Sequence, residues 1–201
     1  MASSRTIRWS GLSAMLGGAL FVVSAVVIAS MPRGCIGDEC ASRPMRETGA
    51  AGALLTLALL LVVIGAAGLV IRARDAGRFG TLAKTGIVVA ALGAALPVVG
   101  SLVRVGILFE GAYPYMPYFV IPGVLALVIG FVLLGISVLR AGVLPRWAAV
   151  LLIVGTLARL GFNDQNALAL LAIPNGIGWV AVGYVLWSGR GEGAREPARM
   201  P

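Results

Sequence analysis

Histidine is absent from the 201 residues, lysine occurs once, at Lys84, and cysteine twice, at Cys35 and Cys40. Without imidazole there is no His-ligated haem, no His-containing zinc site, no Ser-His-Asp triad and no histidine acid–base chemistry. Charge is scarce as well, at 12% of residues, where a soluble domain carries roughly 25%. No P-loop or Rossmann glycine pattern occurs, and GAAGAL near Gly49 reads as helix-packing material. No carboxylate falls in the middle of an apolar run to act as a proton relay. We therefore expect no enzyme activity, no cofactor and no metal site.

Apolar sequence takes the place of the missing charge. Hydrophobic residues make up 59% of the chain and its mean hydropathy is +0.98. The apolar runs are Ser10 to Ser30, Gly49 to Ile71, Gly86 to Leu108, Tyr118 to Leu139, Trp147 to Phe162 and Ala167 to Trp187. A bilayer span takes about 20 such residues. Backbone amides left unpaired in hydrocarbon force each run into a helix or a closed barrel, and runs that are continuous rather than alternating exclude the barrel. The expected fold is all-α, a six-helix integral membrane bundle forming a single domain over 1–201. Residues 188–201 are expected to be a short, disordered cytoplasmic tail. Arg5 and Arg8 before the first run mimic a signal peptide, but the run is long and lacks a clear small-x-small cleavage site, so it reads as a retained anchor.

Orientation follows from the cations between the runs. Arg5, Arg8, Arg72, Arg74, Arg78, Lys84, Arg140, Arg146, Arg190, Arg195 and Arg199 fall on one side, and only Arg33, Arg43 and Arg46 on the other. The bias puts both termini in the cytoplasm. Dispersed in this way, with no basic tract, the net charge of +8 marks topology and not a nucleic-acid surface. Trp9, Trp147 and Trp187 fit the inner interface, and Tyr113, Tyr115 and Tyr118 the outer one.

An internal repeat is visible. VVGSLVRVG at Val98 to Gly106 aligns with IVGTLARLG at Ile153 to Gly161, and LGGALFVVSAVV at Leu16 to Val27 with LGAALPVVGSLV at Leu92 to Val103. Three parallel helical hairpins about an axis along the membrane normal would produce this pattern; the competing account is chance alignment in an Ala/Gly/Leu/Val alphabet. Separately, GISVLRAGVLPRWAAVLLIVG at Gly135 to Gly155 resembles the inner loop and following helix of some uncharacterised small bacterial polytopic membrane proteins. That resemblance covers about a tenth of the chain and implies no activity.

Chemistry concentrates in the outer half. Gly86, Ala90, Gly93, Pro97 and Gly100 share one face of the third helix and lead to Arg104, and Ala148, Leu152 and Gly155 lead likewise to Arg159. An arginine at that depth must snorkel, pair or line a wet cavity. Glu110 and Asp164 follow closely enough to close plain ion pairs. The functional alternative is an outward-facing pocket for an anion or lipid headgroup, built from Arg104, Arg159, Asn166 and Asn175. Pro174, Asn175, Gly176 and Gly178 interrupt the sixth run, either as a kink or as a break that exposes backbone to a ligand. In CIGDEC a turn at Gly37 and Asp38 brings Cys35 and Cys40 within disulfide reach.

The leading functional expectation is a non-enzymatic structural or accessory component that self-associates or packs in a larger membrane complex. The alternative is a small transporter or a lipid- or anion-binding protein. The expected partners are the lipid bilayer and a homo-oligomer or larger complex, with no nucleic acid. The Arg-rich, Lys-poor composition points to a bacterial plasma membrane.

Overall fold

The computed structural model describes residues 4–35, 46, 48–106 and 116–189, with backbone alone at 98, 101–106, 116 and 117. Among these residues there is no strand. The helices are α1 Ser4–Ser30, α2 Gly49–Asp75, α3 Thr81–Gly106, α4 Met116–Ala141, α5 Arg146–Ala158 and α6 Ala172–Ser188. A 3-10 turn, Arg159–Gly161, continues α5, and a second, Ala167–Leu171, leads into α6. The expected tail lies outside the described residues from 190 onward.

Four stretches are long and apolar enough to cross a membrane: Ser4–Ser30, Gly49–Asp75, Tyr118–Ala141 and Ala167–Ser188. Helix α5 is short, since its 13 residues rise only about 20 Å at 1.5 Å per residue. Several helices run past their apolar segments. Helix α1 starts at Ser4 and α2 ends at Asp75, because Arg5, Arg8, Arg72 and Arg74 are good helix formers and nothing there breaks the turn. The break expected in the sixth run takes a specific form. The chain winds as a 3-10 turn to Leu171 and as an α-helix from Ala172, so Pro174 falls in the first turn of α6, where its missing N–H has no intrahelical partner to lose.

Around the molecule the helices succeed one another as α2, α1, α6, α5, α4 and α3, and the circuit closes only loosely between α3 and α2. Glycine lets these neighbours approach. On the antiparallel α1 and α6, a methyl added at Gly183 would lie 2.5 Å from the Gly11 carbonyl oxygen, and one at Gly176 would lie 2.5 Å from that of Gly18. Seven residues separate the two glycines on each helix, so the seam repeats every two turns. Gly155 abuts the backbone of Pro174 on α6. Every member of the expected small-residue face of α3 packs on α4: Gly86 and Ala90 against Gly130, Gly93 and Pro97 against Gly123, and Gly100 against Phe119.

Helices α2 and α4 end alike. Gly77 (φ 66°) and Gly142 (φ 62°) adopt the left-handed conformation, and the following amides donate back to the helix, Arg78 N to Ala73 O at 2.9 Å and Val143 N to Val138 O at 3.1 Å. These are Schellman closures, which only glycine enters without strain. Large apolar side chains remain on the outside, including Leu16 at 52%, Leu92 at 60% and Val154 at 55% exposure. A surface of this kind suits lipid and not water.

Widening the α1–α6 seam tests its importance. Gly18→Val is expected to lower stability in detergent by about 1–3 kcal/mol through overpacking, while Gly80→Ala, with open space around it, stays within about 0.5 kcal/mol. Equal melting temperatures for the two variants would refute the close-packing account.

Candidate functional site

Helix α5 carries Thr156 one turn before Arg159, and α6 carries Asn175 one turn before Trp179, spacings that put each pair on one helical face. The contact of Gly155 with Pro174 draws the two helices together, and these four side chains then line one central cavity of about 20 Å³. Phe21 of α1, Leu59 and Val62 of α2, and Leu127 and Phe131 of α4 are also among its walls. Phe131 meets Trp179 edge to face, with ring centroids 5.0 Å apart. The space is that of one or two waters, since a single one needs roughly 10–15 Å³.

The polar groups around this cavity are short of partners. Arg159 Nη1, Thr156 Oγ1 and Trp179 Nε1 are all buried with nothing to bond to, as is Ser24 Oγ on α1, one turn from Phe21. Thr156 is 1% exposed, Trp179 0% and Asn175 3%. The Arg159 guanidinium instead lies over two aromatic rings, 4.9 Å from the centroid of Phe21 and 5.2 Å from that of Phe162. Cation–π contact of this kind stabilises a desolvated arginine by about 2 kcal/mol, well short of the several kcal/mol lost on leaving water.

Of the residues expected at the site, Arg159 and Asn175 come together. Asn166 does not join them; its side chain caps the 3-10 turn, accepting from Leu168 N at 2.7 Å. The expected ion pair between Arg159 and Asp164 does not form. Asp164 Oδ1 accepts from Gln165 Nε2 at 3.0 Å, and its main-chain oxygen accepts from Arg46 at 2.8 Å. Arg104 belongs to the last turn of α3, where backbone alone is described, and Glu110 lies outside the described residues. Cys35 is buried and is not a free thiol, while its expected partner Cys40 lies outside the described residues.

Sequence reading missed Phe21, Thr156 and Trp179, although Thr156 sits inside the repeated nonapeptide and both it and Trp179 are one turn from a residue already singled out. It also missed Arg46. That guanidinium donates to the carbonyls of Ile28 (2.7 Å), Met31 (3.0 Å), Pro32 (2.8 Å) and Asp164 (2.8 Å). Gln165 fastens the same corner, its side chain accepting from Arg46 N at 2.7 Å and its carbonyl from Gly34 N at 2.9 Å. Arg46 thereby ties the end of α1 to the connection between α5 and α6.

Set against known proteins, the chain matches no family model, no curated protein and no solved structure.

The two arginines are expected to respond oppositely to truncation. Arg46→Ala leaves several carbonyls unpaired and should reduce stability by about 2–3 kcal/mol, whereas Arg159→Met, which removes an uncompensated buried charge, should leave the ligand-free protein at least as stable as the wild type. Denaturant titration in detergent reads both; a loss at Arg159 comparable to that at Arg46 would make it a structural residue.

Proposed function

We propose that the chain is a non-enzymatic, multi-pass membrane protein that holds a small anion in the outer half of a six-helix bundle. One observation carries this reading: Arg159, half-buried as a residue, borders a small, partly enclosed cavity with Nη1 buried and unpartnered and no carboxylate paired to it among the described residues. A charge held in a low-dielectric interior needs a counter-charge. Around it stand an indole N–H, a threonine hydroxyl and an asparagine amide, each able to donate, and beside the fixed positive charge of the guanidinium they favour an anion over a cation. A volume of about 20 Å³ suits a monovalent ion of chloride's size and leaves no room for an acyl chain.

The packing-component reading loses its main support. The glycine and alanine faces that suggested self-association are already occupied inside the chain, α1 against α6 and α3 against α4. The plasma membrane of a bacterium is the proposed location, with both termini in the cytoplasm. The hairpins α1–α2, α3–α4 and α5–α6 are read as three parallel repeats. Their support is the shared nonapeptide together with the matching closures at Gly77 and Gly142. A disulfide between Cys35 and Cys40 in the outer loop belongs to the same topology.

For the site, melting of the detergent-purified protein is compared in chloride, nitrate, acetate and gluconate. At a hundredfold excess over Kd a bound ion adds about 2.7 kcal/mol, and Arg159→Met should abolish the difference; one melting temperature in all four salts rules the site out. For the topology, a tag at the C-terminus should resist impermeant reagents in intact cells, and labelling from outside would reverse the orientation.

A further inference from the structure

Among the described residues, donor groups reach the Arg159 cavity only from α5 and α6. Thr156 and Arg159 come from the first of these helices and its 3-10 extension, Asn175 and Trp179 from the second. Every residue that α1, α2 and α4 contribute is apolar, Leu59, Val62, Val124 and Val128 among them. Thr156 Oγ1, Trp179 Nε1 and Arg159 Nη1 are buried without partners. The guanidinium is stacked over the rings of Phe21 and Phe162, so it offers an occupant few of its donors. An ion in this place would meet a handful of N–H and O–H groups on one part of its surface and hydrocarbon on the rest.

We infer that the cavity selects its anion by ease of dehydration: it takes a bare halide, bromide at least as well as chloride, and refuses fluoride and carboxylates. The inference rests on the anion reading of the same cavity. Apolar walls return nothing for the water an ion sheds on entry, so the cost of stripping the ion decides between candidates. That cost is greatest for the smallest ion, fluoride, whose charge is most concentrated. Arginine does little to offset it, because its charge is spread over a planar group that is itself weakly hydrated. Volume excludes the other class. About 20 Å³ is the space of one or two waters, and acetate, with a methyl group behind its carboxylate, is larger than that.

The test measures binding of radioactive chloride to the full chain in neutral detergent and gluconate buffer, with fluoride, bromide and acetate as competitors at constant ionic strength. Binding should be saturable and absent in Arg159→Met. Bromide should displace chloride at concentrations no higher than unlabelled chloride requires, fluoride should need at least about tenfold more, and acetate should not compete. Thr156→Val exchanges an unpartnered hydroxyl for a methyl group of the same shape, so the ion-free protein should stay as stable while chloride binds about tenfold more weakly. Fluoride competing as well as bromide overturns selection by dehydration and leaves an anion site of another kind. Displacement by acetate overturns the size limit, and unchanged affinity in Thr156→Val overturns the part given to its hydroxyl. No saturable chloride binding overturns this inference and the anion reading together, leaving water as the occupant.

Discussion

The close approach of α1 to α6 is the constraint on which the remaining architecture rests. In hydrocarbon, apolar surface gains nothing by leaving lipid, so helices associate through tight packing and backbone proximity. The two glycine pairs, Gly11 with Gly183 and Gly18 with Gly176, supply that proximity along most of the seam. Helix α1 in turn packs on α2, and α6 on α5. With these four in place, Phe21, Thr156, Asn175 and Trp179 have little freedom to be anywhere but around one cavity. The α3–α4 hairpin, internally the most extensively packed pair, reaches the others mainly through α5.

The chain handles two half-buried arginines in different ways. Arg46 satisfies its donors with main-chain carbonyls and so acts as a strut across the outer end. Arg159 receives only the faces of Phe21 and Phe162. A protein selected for stability alone gains by replacing such a group with methionine or leucine. Its retention next to donor groups that also lack partners is the physical reason to read that place as a site and not as packing.

Much of the fold was legible because a lipid environment leaves few options. Continuous apolar runs become helices of known length, and the small-residue face from Gly86 to Gly100 had to meet a neighbour, which is α4. Arg159 and Asn175 could be singled out because each is out of place in an apolar run. Other features depend on tertiary placement that spacing does not encode. Asp164 was an obvious partner for Arg159 by proximity in sequence, yet the chain reverses between them and Gln165 claims its carboxylate. Phe21 is an ordinary aromatic in a helix until α1 seats it under a guanidinium contributed from 138 positions later. Arg46 reads as a loop charge, and its role emerges only once three carbonyls near the end of α1 converge on it.

The partnership of the first and last helices also bears on biosynthesis. Gly11 leaves the ribosome 172 residues ahead of Gly183, an interval of roughly 10–30 s at typical translation rates of about 5–20 residues per second. Throughout that time the cleft-forming side of α1 has no permanent mate and must face lipid or a transient escort. The cavity beside Thr156, Asn175 and Trp179 can therefore form only after α6 has been made.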